Sequence, residues 1–479
     1  MSKSKSLKMG REVILSLGSD VVMSLIGFVG IVAFARLLGD VGLGEYRTVV
    51  AVAMVLGQVA NGTGWAIRKR VSEVGVDPRD YLSTGLIFHA AFTLCLLVAF
   101  ALLNPFVVDY FGSVELAYAV VLLVAALGVF EILTHLYAGL GYPANASWID
   151  AVRSVLTLGF QILFIVWGLG SFGVVAGLAV ATFASAGITA VVASVYPRIP
   201  TWSSVSRLYE FGKWNVPTQL LRSFDSQLDV LILRLAVGAG PVGIYTAAAT
   251  ASMPGTMLGG SIKDALSVKS SGVSSSGEPI RADLVNSVSY AGLLSIPIFF
   301  GAAAIPRELM VTVFGGDFSA AGPALVGLTL APVAGVYIGA FEAAVEGIDR
   351  PEVALRIRLV STAVHLILSF ALVWQFELLG VIAAMVLTNW LVLAAYQFFA
   401  HRHLGGVAVT RPMLAQFASG AVMFAAVELT TRYVVTITSW VWLSVVLAVG
   451  VVTYFGSLIV VSRHFRETVY GSLQDVLEG

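Results

Sequence analysis

The sequence predicts an all-α polytopic membrane protein of about fourteen transmembrane helices, arranged as two parallel six-helix repeats followed by two further helices. Three observations predict it. Of 479 residues, 58% are hydrophobic and 12% are charged, against roughly 45–50% apolar and 25% charged in soluble domains. Apolar runs of about 20 residues, the length that crosses roughly 30 Å of hydrocarbon, recur along the whole chain. Finally, the glycine-rich turn that closes the first run, "RLLGDVGLGEY" (Arg36 to Tyr46), is echoed near residue 240.

The runs fall at approximately 13–38, 47–67, 82–103, 117–139, 150–168, 172–195, 214–237, 244–266, 285–304, 321–346, 356–375, 379–400, 413–433 and 439–461. Basic residues test this division, because cytoplasmic connections collect Lys and Arg. With the N-terminus inside, alternate connections hold 22 of the 28 Lys+Arg residues. The other ends hold only Arg36, Arg47, Arg234, Arg307 and Arg432, and Arg222 lies inside a run. Both termini are therefore expected to be cytoplasmic, in a multi-pass protein of the cell (cytoplasmic) membrane.

Lys3, Lys5, Lys8 and Arg11 ahead of the first run imitate a signal-peptide start, but the run is far longer than a signal core and reads as a retained helix. Acidic and basic residues balance at 28 each, so no excess charge points to nucleic acid. The lone Cys95 excludes an internal disulfide and a cysteine metal cluster; inside an apolar run it is expected to be a small buried hydrophobe. The longest connection, Lys263 to Asp283 with "KSSGVSSSGEP", reads as a flexible Ser/Gly linker.

A shift of 199 residues superposes Gly39 on Gly238, Gly44 on Gly243 and Tyr46 on Tyr245. A shift of 208 superposes Gly139 and Pro143 on Gly347 and Pro351. Each copy holds an even number of spans, so both copies have one orientation, related by an axis along the membrane normal. Transporters built this way place substrate between the copies and alternate access by rocking. The expected organisation is an N-terminal bundle at 1–200, a C-terminal bundle at 201–403, and two added helices with a tail at 404–479. Residues 196–213, with Pro197, Pro200, Trp202 and Trp214, form the crossing segment.

An ionisable side chain in the bilayer core costs at least roughly 2.5–3.5 kcal/mol, so it should face protein or water. In the seventh span Arg222, Asp225 and Asp229 share one helical face with Thr218. That face reads either as the wall of a substrate cavity, with Arg222 as a donor fork for phosphate or carboxylate, or as an Arg222–Asp225 pair that locks helix packing. Asp20 in the first span joins the cavity candidates.

Glu131 and His135 in the fourth span, and Glu342 and Glu346 in the tenth, are i, i+4 pairs on repeat-equivalent helices, candidates for carrying coupling H+ or Na+. Arg68 and Lys69, at the end of the second span, are candidates for a substrate entrance. His89 and His365 read as satisfied core histidines. No Walker loop, HExxH, GxSxG or CxxC pattern is present, and nothing calls for a cofactor or a metal.

With these residues in view, the chain resembles the polysaccharide and lipid-linked oligosaccharide flippases of the multidrug, oligosaccharidyl-lipid and polysaccharide exporter superfamily. The resemblance rests on "ARLLGDVGLGEY", "VPTQLL…LDVLILRLAVGAGPVGIYTAAAT", "VFGGDFSAAGPAL" and "AAVEGIDRP", which run in order over nearly the whole chain. It implies two six-helix bundles in a V, a charged central cavity, and alternating-access movement of a polyprenyl- or dolichol-linked sugar to the outer leaflet. The purpose would be surface polysaccharide synthesis or protein N-glycosylation.

Membrane lipids and the lipid-linked glycan are the expected partners, and no covalent chemistry is expected. A drug or cation antiporter of the same superfamily is disfavoured by the two extra C-terminal helices. An integral-membrane glycan polymerase or glycosyltransferase is disfavoured by the lack of a catalytic loop.

Overall fold

The computed structural model describes residues 9–256, 281–348, 350–403, 410–463 and 465–467; most of the predicted Ser/Gly linker lies outside them. It divides into two compact units, Met1–Gly243 and Ile244–Gly479. Helix α1, Met9–Val71, is two spans joined at Gly39, whose φ of 69° and ψ of −171° interrupt the helix. Gly238, the repeat partner of Gly39, also has positive φ, 117°. Only glycine adopts such a φ without strain, which is why the two turns share this letter.

Helix α2, Pro78–Leu102, starts with proline behind an Asp77 cap whose carboxylate accepts the Arg79 N–H, a favourable helix start. A short α3, Asn104–Phe111, follows it and ends at left-handed Gly112. Helix α4, Val114–Gly139, is capped by Ser113 and buries residues all round its circumference. It forms the centre of the first unit, with α5, Pro143–Val166, and α6, Gly170–Ala193, beside it. Two clusters make the core. One holds Val49, Phe111, Val120, Leu123 and Val175, and the other Ile67, Leu82, Ile132, Leu136 and Leu208.

Helix α7, Trp202–Ala236, begins at a Thr201 cap and carries Pro217 in its interior. It belongs to the first unit and packs along the second limb of α1. Helix α8 is Ala239–Ser252. At its start the two repeat turns meet: a Cβ on Gly44 would overlap the carbonyl of Ala239, and one on Gly243 the carbonyl of Asp40. Without a hydrophobic drive between helices in lipid, backbones associate by such close approach of small residues.

The second unit contains α9, Arg281–Ala291, α10, Ser295–Ala304, and α11, Pro306–Phe314. Then come a 3₁₀ turn, Gly316–Ala321, and α12, Gly322–Gly347, which is buried along most of its length. Helix α13, Pro351–His403, is two spans broken at Glu377, φ 50°. The added helices are α14, Arg411–Tyr433, and α15, Trp440–Val461.

Among the described residues, ten helical stretches are long and apolar enough to cross a membrane. Two of these are the bent pairs α1 and α13; α7 and α8 lie at the predicted seventh and eighth spans, the latter running on past the described residues. The predicted span at 285–304 is present as one apolar stretch, Leu284–Ala304, made of α9 and α10. A turn at Gly292 separates them, where a Cβ would strike the Tyr337 hydroxyl. Cys95, expected inside, is exposed on α2. An apolar helix has no need to turn its hydrophobic side chains inward when its surroundings are lipid, so apolarity does not report burial here.

Gly44→Val forces side-chain carbon into the Ala239 backbone, and overpacking of this kind costs about 1–3 kcal/mol. A lowered thermal midpoint in detergent is expected. Gly187→Ala, where a Cβ meets nothing within 4 Å, should leave the midpoint unchanged.

Candidate functional site

Two different faces of α7 carry polar groups. The face packed on α1 uses Asn215, which donates to the Gly62 carbonyl at 3.1 Å, and Ser223, which donates to the Met54 carbonyl at 3.3 Å. Gln227 completes it by accepting from the Arg47 guanidinium at 2.7 Å. The helices run antiparallel, so the three contacts lie in a row. Buried polar groups in an apolar medium must find partners, and this row satisfies that demand for α7.

Arg222, Asp225 and Asp229 form a neighbouring stripe. At 100° per residue they cluster on the side of α7 away from Ser223 and Gln227. Arg222 is exposed, and both aspartates are partly exposed. Arg222 lies within about 20° of Asn215 around the helix, so the charged stripe borders the packing row, and Asp225 and Asp229 make polar or electrostatic interactions of their own. Asp20 falls on the first limb of α1, where only the backbone is described.

A second cluster forms around Glu131 on α4. Asn61 of α1 donates to Glu131 Oε2 at 3.2 Å, and His135 Nε2 lies 3.5 Å from the same oxygen. Trp65 packs against the His135 ring at 5.1 Å. Arg153 of α5 completes the group: it pairs with Asp150 at 2.7 Å, lies over the Phe130 ring, and acts electrostatically on Glu131. Gln58, Asn61, Glu131 and Arg153 line a cavity of about 190 Å³ inside the first unit.

Sequence reasoning missed Arg153 by assigning it to a connection. The signal that could have found it is Pro143, a strong helix starter, which moves the beginning of α5 seven residues earlier. In the second unit Glu342 is half-buried and Glu346 exposed. Tyr396 of α13 lies within electrostatic range of both, and of Arg358.

The entrance candidates sit on aromatic faces: Arg68 lies 5.1 Å from the Trp65 ring, and Lys69 4.7 Å from that of Phe211. Beside them, two ionic clamps tie the crossing segment to the first unit. Arg198 Nη2 donates to Asp80 at 2.9 Å, Nη1 pairs with Asp77 at 3.0 Å, and the Arg198 N–H donates to Ser83 at 2.8 Å. Arg207 and Arg70 hold the two oxygens of Glu73 at 2.7 and 2.9 Å.

The two guanidinium partners, Arg70 foremost, hold the Glu73 carboxyl below its usual range. The Asp80 carboxylate, through its hydrogen bonds, raises the Arg198 guanidinium above its ordinary value. His89, as expected, is a buried core histidine whose Nε2 donates to the Ala125 carbonyl at 3.2 Å. Among the described residues no three His, Cys, Asp or Glu side chains converge to hold a metal ion.

Fold and charge placement define a multi-pass helical membrane protein of transporter architecture, with ionisable groups held inside its helical units. The chain belongs to the polysaccharide biosynthesis protein family, which matches residues 9–266. A probable low-salt glycan biosynthesis flippase, Agl15, of Haloferax volcanii is 26% identical over 375 residues, 75% of this chain and 77% of the relative. A probable flippase of the same organism, AglR, is 24% identical over 98% of this chain and 99% of its own length.

Among solved structures, the fold is shared with the lipid II flippase MurJ in an inward closed conformation. The TM-score is 0.77 at 13% identity, covering 95% of this chain and 100% of that one. It is shared also with an inward-facing multidrug resistance transporter of the MATE family, at TM-score 0.61, 17% identity, and coverage of 82% and 98%.

A carboxylate whose folded value is lowered contributes stability above its unfolded value, about 4.3 for Glu, and loses it as pH falls through the folded one. Spin labels at the exposed Val74 and Ile199 should therefore give a narrow distance distribution at neutral pH that broadens below about pH 4. Glu73→Gln should broaden it at neutral pH.

Proposed function

We propose that this protein is a flippase. It carries a polyisoprenyl-linked sugar or oligosaccharide from the inner to the outer leaflet of the cytoplasmic membrane, by alternating access and without covalent chemistry. The α7 stripe carries the reading: Arg222, Asp225 and Asp229 lie on one stripe of a helix packed along α1, with Arg222 exposed and both aspartates partly so. Three ionisable groups kept on one stripe of a helix at this cost mark a polar path. Membership of a polysaccharide biosynthesis family supports it, as do relatives along most of the chain that are named as glycan flippases.

In this reading both termini are cytoplasmic, consistent with the basic residues of alternate connections. Arg222 meets the diphosphate or an acidic sugar, Asp225 and Asp229 meet sugar hydroxyls, and Asp20 lines the same path. Glu131 with His135, and Glu342 with Glu346, carry the coupling ion. We favour the proton, because Glu131 is already approached by an amide donor, an imidazole and the field of Arg153, which disfavours a second cation. Arg68 and Lys69 guide the anionic headgroup toward the path.

Deleting the gene should accumulate lipid-linked precursor on the inner leaflet and deplete surface glycan, read by lipid mass spectrometry and glycoprotein staining. Arg222→Ala and Asp225→Ala should each lower glycan transfer by about tenfold, equivalent to roughly 1.4 kcal/mol, at unchanged protein level. Normal glycan in both variants would remove the cavity role. Glu131→Gln should flatten the dependence of transport on pH, whereas an unchanged pH profile assigns coupling elsewhere.

A further inference from the structure

A slot of about 550 Å³ opens within the first unit between the second limb of α1, the first turns of α2 and the first half of α7. This is the size of a small-molecule ligand site, roughly 300–1,000 Å³. Ile87, Phe88 and Ala91 form its α2 wall, and Val205, Leu208 and Val216 its α7 wall. The two threonines in the lining are spent on their own helices: Thr63 donates to the Val59 carbonyl and Thr84 to that of Asp80. Apart from the Tyr209 phenol and Lys213, the slot therefore offers hydrocarbon to its occupant. Along α2 it extends about 10 Å, from Thr84 to Ala91.

One wall position is charged. Lys213 lines the slot from α7, about 9 Å along the helix axis from Arg207 of the Glu73 clamp. Its ammonium lies 5.9 Å from the Trp214 ring, and among the described residues no carboxylate pairs with it. Lys213 is exposed, so its ammonium is open to an anion at the mouth of the apolar walls. The segment around it displays Tyr196, Trp202, Tyr209 and Trp214, each at least 70% exposed, the composition of a membrane–water interface. Apolar slot, single cation and aromatic belt together match a molecule with one long hydrocarbon chain and a phosphate.

We propose that this slot binds the isoprenoid chain of the phosphate-linked carrier, with its phosphate on Lys213, as a docking site separate from the Arg222 stripe. The inference rests on the flippase reading for the identity of the carrier. A two-chain phospholipid fits less well, since a single slot takes one chain and leaves the other outside. Gly212 provides a clean probe of occupancy: it lines the slot, and a Cβ there meets nothing within 4 Å, so a larger side chain enters empty space.

The full-length protein in nanodiscs is labelled with diazirine-bearing polyprenyl phosphate or with the matching uncharged polyprenol, and the labelled peptides are mapped by mass spectrometry. Label is expected within 84–91 and 205–217. Lys213→Gln should reduce phosphate-probe labelling about fivefold, the value of one cation near a membrane surface, and leave polyprenol labelling unchanged. Gly212→Trp should reduce both, and excess phosphatidylglycerol should compete with neither.

Labelling that maps elsewhere, survives Gly212→Trp, or is displaced by phosphatidylglycerol overturns the proposal; the last outcome would make the slot a bulk-lipid site. A deletion strain with normal glycans, in the face of slot labelling as expected, would overturn the flippase reading and leave the slot standing.

Discussion

The cost of placing a charge or an unpaired polar group in hydrocarbon orders this protein more than any other constraint. It decides that Asn215, Ser223 and Gln227 take partners on α1, since each would otherwise face lipid unpaired. It places Glu131 beside an amide, an imidazole and an arginine. It also gathers the clamps around Asp80 and Glu73 at one basic end, where water screens what the pairs do not neutralise. Surface ion pairs are individually worth about 0–1 kcal/mol. The clamps therefore fix where the crossing segment lies more than they hold the unit together.

Close packing meets the complementary need. Lipid tails are as apolar as leucine side chains, so helices gain by approaching until backbones touch. The crossing of Gly44 with Ala239 and of Gly243 with Asp40 shows this in a symmetric form, because the paired positions are repeat equivalents. The letters that betray the duplication in the sequence are the ones steric contact protects. Gly39 and Gly238 add the conformational version of the same protection, since both hold positive φ.

Much of the fold was therefore legible in advance. Span length and the glycine turns each follow from a constraint that acts on single residues. Arg153 was not legible, because an arginine near a span end looks the same whether it anchors in a connection or turns inward to act on Glu131. Only the earlier start of α5 distinguishes the two. The turn at Gly292 was hidden for a similar reason: its cause is the Tyr337 hydroxyl on a distant helix. Cys95 misled because the usual equation of apolar with buried holds in water and lapses in lipid. The shared stripe of the α7 charges was legible from helical spacing, but the polar row beside it, Asn215, Ser223 and Gln227, required the partners on α1.

The docking of α7 also bears on how the chain is made. Every partner of Asn215, Ser223 and Gln227 precedes them in the sequence, as do those of Arg198, Arg207 and Arg234, the last donating to the Tyr110 carbonyl. During synthesis, this polar helix thus leaves the ribosome when the partners of that row already exist. Its insertion need not wait for helices still untranslated, and its remaining charges are presented from a helix already fixed in place.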